Sequence, residues 1–476
     1  MSSDEPSVSK ALIEPEGTVS PLSGAGSDEL PACPVDAVTD SGTGADDDGT
    51  SASPVSSQDD HPYFPPPVLP VVVAPHGVRF DFNDGARVTV PALSDGEGQW
   101  HIRLSDHVTG NILFDARLKG GAVSSTKKYR VPFTVDVWLE KPDADPEPVV
   151  HHDIHLADRP VLVQLPVGTL GDTLAWLPAV IRFARESRAR LTCSVADVIL
   201  PLVKDANPDI TLVGHEIARR DAGFTKGFYA TYNLGLFFKD TDFTRQPTDF
   251  RHVGLHRTAA YILGIDPWHD DPPAITISDV ASPPVEEPYV VIATQASTQC
   301  KYWNNPGGWR EVIAFLKDAG YRVICIDQKP FHGTGYVYNH IPHGVEDETG
   351  NRPLTERARW LKHASFFIGL SSGLAWLAHA AGTPVVMISG FTHPDNEFAT
   401  PYRVINWHTC NSCWNDSRHQ FDHKDFFWCP RHKDTPRQFE CTRLITGTQV
   451  IYVIRRLMET RGLPGQGEKA KAQEQE

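Results

Sequence analysis

No apolar run in the 476-residue sequence approaches the roughly 18 residues of a membrane span, and the opening "MSSDEPSVSK" has no basic segment leading into an apolar one. Both absences argue against a helical membrane protein or an exported one and predict a soluble, cytoplasmic chain. Basic charge is also scarce: 44 Lys and Arg stand against 60 Asp and Glu, a formal net charge of −16. Binding nucleic acid takes a basic face that neutralises phosphates, so that class is poorly supported. Cysteine is infrequent, with eight in the chain. In a reducing compartment disulfides are rare, so clustered cysteines point to metal ligands.

The length exceeds what one core holds, which predicts two folded domains with accessories. Residues 1–60 carry thirteen acidic residues against Lys10 alone and are rich in Ser, Asp, Gly, Pro and Ala. Such a segment cannot bury enough surface to offset its ordering entropy, and a disordered acidic tail is expected. Over 61–155 the runs "VRFDFND", "ARVTVPAL", "WHIRLSD", "NILFDARL" and "YRVPFTVDVWL" alternate with period two between turn residues, the pattern of a small all-β module. The cluster "HHDIH" at 151–155 closes it; a solvated connector is expected there, with metal binding as the alternative.

From residue 156 strands and helices alternate, in one half spanning 156–280 and a second spanning 281–476, divided by the Pro-rich "SDVASPPVEEP". This is an α/β pattern of two doubly wound, Rossmann-like domains facing a cleft, with ligands at the carboxyl ends of the strands.

Three stretches at such strand ends carry chemistry. In "QLPVGTLGDTLAWLPAV", Gly168 and Gly171 let backbone approach a ligand, and Asp172 falls at a helix start, where an N-cap is the ordinary role and a catalytic one the alternative. In "ATQASTQCKYWNNPGGW", Lys301 lies among Thr294, Ser297 and Thr298, where an ammonium can meet a diphosphate; Trp303 and Trp309 read as core. In "FIGLSSGLAWLAHAAGTPVVMISG", Ser371, Ser372 and Gly373 open a helix whose free N–H groups suit a phosphate. In this order the three resemble the heptosyltransferases that use ADP-heptose and have the GT-B fold.

Near the end, "HTCNSCWNDSRHQFDHKDFFWCPRHKDTPRQFEC" packs four cysteines into 408–441. Cys410 and Cys413 form a C-x2-C pair, and Cys429 and Cys441 follow after fifteen and eleven intervening residues. The pair sets two thiolates on one side of a metal and the later two complete a tetrahedron, with His419, His423 or His432 able to replace one. Thiolates suit zinc or iron alike.

A heptosyltransferase-like body, a β module ahead of it and a four-Cys finger together resemble the bacterial autotransporter heptosyltransferases, over about residues 66–462. The resemblance implies an enzyme that forms a dodecameric ring and binds structural Fe3+, with Zn2+ the alternative. It implies transfer of heptose from ADP-heptose to serine or threonine hydroxyls of an autotransporter adhesin passenger. It makes Asp172 the catalytic base and Lys301 the donor contact, and assigns Cys410, Cys413, Cys429 and Cys441 to the metal. Thr169, Leu170, Gly171, Thr173, Thr294, Ser297, Ser371, Ser372, Gly373 and Leu374 are expected to line the substrate site. A heptosyltransferase with a lipopolysaccharide acceptor is the rival within the class, and a non-catalytic metal-organised scaffold the rival outside it.

Overall fold

The computed structural model describes residues 63–166 and 169–464. The acidic segment 1–60 and Gly168 lie outside the described residues.

The period-two runs are strands: Arg79–Asn83, Arg87–Val90, Gln99–Asp106, Ile112–Leu118 and Phe133–Glu140. Alternation sends Trp100, Ile102 and Leu104 to one face, where they sit opposite Leu139, Val137 and Val135 of the neighbouring strand. These front strands divide between two sheets. Gln99–Asp106, Ile112–Leu118, Phe133–Glu140 and Glu147–Asp153 form a four-stranded antiparallel sheet of their own. Arg79–Asn83 instead joins the first α/β half, parallel to Ala230–Asn233, and brings Arg87–Val90 and Gly121–Ser124 with it. The Phe82 N–H donates to the Tyr229 carbonyl at 2.9 Å, so backbone hydrogen bonds cross the division expected near residue 155.

"HHDIH" is strand through Asp153, and His151, Asp153 and His155 are exposed, as a solvated segment requires. His151 and His152 belong to Glu147–Asp153, and the His152 ring turns inward, 4.7 Å from Phe80 with Nε2 2.7 Å from the Tyr229 hydroxyl.

In the first lobe the parallel strands run Thr211–Gly214, Arg190–Val195, Pro160–Gln164, Ala230–Asn233. The order reverses between Pro160–Gln164 and Ala230–Asn233, and from the first of these the chain enters the helix Leu170–Ser187. The second lobe is a six-stranded parallel sheet in the order Glu346–Asp347, Arg322–Cys325, Tyr289–Ile292, Phe367–Leu370, Val385–Ile388, Arg403–Val404. In chain order this is 3-2-1-4-5-6, the doubly wound arrangement, with its switch point between Tyr289–Ile292 and Phe367–Leu370. The residues leaving those two strands are the Lys301 and Ser371–Gly373 stretches.

A terminal helix, Gly447–Arg461, begins with a capping box of Thr446 and Gln449 and ends at Gly462 in the left-handed region. Val450, Val453, Ile454, Leu457 and Met458, spaced at helical intervals, bury against the second lobe.

Candidate functional site

The two lobes meet helix start to helix start. A Cβ on Gly373 would lie 3.0 Å from Leu170 Cβ and 3.2 Å from the Gly171 nitrogen, and one on Gly171 would lie 3.3 Å from Trp376 Cδ1. The glycines thus admit backbone of the facing lobe, a different use from the ligand approach expected of Gly171. Asp172 lies at the third position of its helix, not the N-cap; Thr169 occupies the cap and its hydroxyl donates to the Asp172 carboxylate. Although Asp172 keeps partial solvent access, burial dominates its environment and pushes the carboxyl above the usual carboxylate value. The Thr169 hydrogen bond and the Lys301 charge pull the other way. Lys301, from the opposite lobe, is drawn below the usual ammonium value by burial, against the fields of Cys300, Asp172 and Glu397. The fold therefore brings Asp172 and Lys301 into one electrostatic site.

The other expected residues divide by what their side chains touch. Ser371 donates to Glu397, a carboxylate only 3 % exposed that also pairs with Arg403. The Ser372 hydroxyl is buried without a hydrogen-bond partner among the described residues, and its helix, Gly373–Ala380, has no side-chain cap. Those helix-start N–H groups remain available to an anion. Thr294 gives its N–H and hydroxyl to Asp327 at 2.8 and 2.9 Å. Thr173 returns its hydroxyl to the Thr169 carbonyl at 3.1 Å, Ser297 is exposed, and Leu374 packs against the main core. Trp303 is buried, as expected, with Nε1 donating to the Ile445 carbonyl at 2.9 Å.

The finger is nearly all turns, with a single 3-10 turn at Cys413–Asn415 and a short helix at Glu440–Arg443. Its own small core holds Cys413, Phe421 and Trp428 together with Cys300 and Phe391. Asp416 ties it from the side, taking Arg418 at 2.8 Å and Arg431, and these cations hold its carboxyl well below the usual range. The seven described cysteines are all free thiols. Cys413 is pushed up to about 12 and Cys441 also well above its usual value, by burial first and then by the other finger cysteines. Cys441 lies in the fields of Cys410, Cys413 and Cys429, so the four thiols are gathered closely enough to be the donor set a thiophilic cation would take. A tighter group shares one member: ligand atoms of Cys410, His432 and Glu440 all lie within 4.8 Å of one another.

Comparison with known proteins fixes the family. The model of the TibC glycosyltransferase N-terminal domain matches residues 74–141, and that of glycosyltransferase family 9 (heptosyltransferase) matches 268–424. The autotransporter heptosyltransferase BAHTCr of Citrobacter rodentium is 51 % identical over 408 residues, 86 % of this chain and 95 % of the relative. The chain belongs to the autotransporter heptosyltransferases. Within that family, the crystal structure of iron-containing dodecameric TibC from Escherichia coli superposes with a TM-score of 0.77 at 49 % identity, covering 83 % of this chain and all of the other. TibC has also been solved with ADP-D-β-D-heptose. BimC of Burkholderia thailandensis, an inactive autotransporter heptosyltransferase, is 43 % identical over 85 % of this chain and 92 % of its own length. The chain has the GT-B fold, and its family includes both heptosyltransferases and an inactive member.

For an autotransporter heptosyltransferase, the residues that sequence reading overlooks around Lys301 are mainly aromatic. Phe391, Trp414 and Phe421 stand 5.4, 5.7 and 5.5 Å from its ammonium. His423, which the sequence offered as a substitute metal ligand, lies beside them, lowered to about 4 by burial and then by the Lys301 charge. Glu397, behind Ser371, was also missed. Trp414 and Phe421 lie within the four-Cys stretch, where the available signal was the density of aromatic residues; Phe391 and Glu397 carried none. No helix among the described residues is long and apolar enough to cross a membrane.

Proposed function

We propose that the chain transfers heptose from ADP-heptose to serine or threonine hydroxyls of an autotransporter passenger in the cytoplasm. The observation that carries this is the pairing of Asp172 and Lys301 from facing lobes, each at a strand's carboxyl end and each shifted by burial toward its neutral form. A carboxylate with a raised pKa is a stronger base, suited to taking the acceptor's hydroxyl proton as the oxygen attacks the anomeric carbon. Attack opposite the departing ADP is a single displacement that inverts the anomeric centre. Lys301 and the helix-start N–H groups after Ser372 take up charge on the leaving diphosphate.

Cys410, Cys413, Cys429 and Cys441 would hold an iron ion, a reading supported by the iron in the crystal structure of TibC, with zinc the alternative. Bound there the ion supplies cross-linking of the finger. The same likeness supports a dodecamer.

The non-catalytic reading has one observation in its favour, the inactive relative BimC. Intact-mass analysis of a passenger fragment incubated with ADP-heptose decides between them. Wild type should add heptose in steps, and Asp172→Asn should be slower by about 100- to 10,000-fold, the usual worth of a general base. A passenger left unmodified by wild type that still binds ADP-heptose would overturn the protein-acceptor reading.

A further inference from the structure

The Lys301 ammonium takes part in no hydrogen bond or ion pair among the described residues, yet it is not loose. Phe391, Phe421 and Trp414 surround it at 5.4, 5.5 and 5.7 Å. The rings also contact one another, with centroids 5.6 Å apart for Phe391 and Trp414, 5.3 Å for Trp414 and Phe421, and 5.5 Å for Phe391 and Phe421. They make a continuous cup. Two of the three belong to the finger, and the third follows the strand Val385–Ile388.

Two further contacts fasten the Lys301 loop to the same surface. The Gln299 N–H donates to the Phe426 carbonyl of the finger at 2.9 Å, and Cys300 lies in the core that contains Phe391, Cys413, Phe421 and Trp428. Trp414 also reaches the first lobe, 5.6 Å from Phe238 and 5.9 Å from Phe250. The cup therefore touches both walls of the cleft.

Ring faces attract an ammonium through their quadrupoles and accept no conventional hydrogen bonds from it. Its three N–H donors stay available for oxygen. A lysine already seated also loses less side-chain freedom when an anion arrives.

We propose that Phe391, Trp414 and Phe421 seat the Lys301 ammonium for the donor's diphosphate, so that the finger serves heptosyl transfer by positioning this lysine. The proposal rests on the reading of Lys301 as the diphosphate contact.

Calorimetric titration of the assembled protein with ADP tests it as a double-mutant cycle. Phe421→Leu keeps an apolar side chain and removes the ring; it should weaken ADP binding about two- to tenfold, the scale of immobilising one long side chain on binding. Phe421→Tyr should recover most of the loss. In the Lys301→Met background, Phe421→Leu should have no further effect, because the ring acts through the ammonium. Equal weakening in both backgrounds would show that Phe421 supports only the fold and would overturn the proposal, as would unchanged or tighter binding by Phe421→Leu. Undiminished ADP affinity in Lys301→Met alone would instead overturn the reading of Lys301 beneath it. If Phe421→Leu does not fold, pentafluorophenylalanine at position 421 keeps the ring's shape and reverses its quadrupole. The same cycle then decides by the same outcomes.

Discussion

At Asp172 burial works against the charge that its proposed role as base requires. Its carboxyl is raised chiefly by desolvation, with the Thr169 hydrogen bond and Lys301 opposing. The native state therefore holds this proton more tightly than the unfolded chain does. The resulting stability is present below the ordinary carboxylate value and is lost as pH rises through the higher native one. At neutral pH this preference for the proton is a local cost to the fold, because the unfolded chain ionises freely there. Asp172→Asn never ionises and can still accept the Thr169 hydrogen bond, so it should melt at a higher temperature than wild type at pH 7. The difference should shrink toward pH 4. Thermal melts across that range check the sign, and a wild type that melts higher at pH 7 would mean that pairing with Lys301 outweighs burial. His423 illustrates the complementary case: lowered to about 4, its imidazole stays neutral beside Lys301 at working pH and adds no competing cation to the seat.

The individual elements were legible because local rules decide them. Alternation marked Gln99–Asp106 and Phe133–Glu140, buried runs marked Tyr289–Ile292 and Phe367–Leu370, and the turns between carried the glycines and serines. The parallel pairing of Arg79–Asn83 with Ala230–Asn233 was not legible, since no local signal links strands so far apart in sequence. The finger shows the same division. Its cysteine spacing announces a metal site, but its core combines Phe391 and Cys300 from other loops with Cys413, Phe421 and Trp428, and only tertiary structure collects those. The finger also docks on bare backbone: Ser412 N–H donates to the Gly390 carbonyl at 2.8 Å, and a Cβ on Gly390 would lie 2.3 Å from the Cys441 carbonyl oxygen. With so little regular structure of its own, the finger should depend on its ion for order. Cys413→Ser should lose bound metal and shift tryptophan emission to the red as Trp414 and Trp428 gain water, while far-UV dichroism of the lobes holds. Full loss of metal with unchanged emission would show that the aromatic core stands without the ion.

Across the whole molecule the cleft depends on how closely two lobes approach, and glycine sets that approach at more than one point. Gly254, which opens the helix Leu255–Leu263 in the first lobe, has φ +87° and ψ 157°, a backbone region almost confined to glycine. A Cβ there would lie 2.1 Å from the carbonyl oxygen of Asp395 in the second lobe, beside Asn396, whose Oδ1 accepts from Trp414 Nε1 at 3.0 Å. Gly373 has no positive φ, and a Cβ on it meets only moderate crowding, 3.0 Å from Leu170 Cβ. The two positions should therefore separate stability from catalysis. Gly254→Ala combines backbone strain with a clash against main chain and should destabilise by roughly 2–5 kcal/mol. Gly373→Ala should cost less, about 1–3 kcal/mol at most, because the crowding against Leu170 Cβ and the Gly171 nitrogen is milder and adds no backbone strain. Yet Gly373→Ala wedges apart the two helix starts that carry Asp172 and the N–H groups proposed to meet the diphosphate. Its kcat/KM should fall by at least tenfold, well beyond what its melting temperature suggests. Denaturant unfolding alongside steady-state transfer assays distinguishes the two, and a Gly373→Ala variant with wild-type kcat/KM would mean that the lobes open during turnover far enough to accommodate the added methyl group.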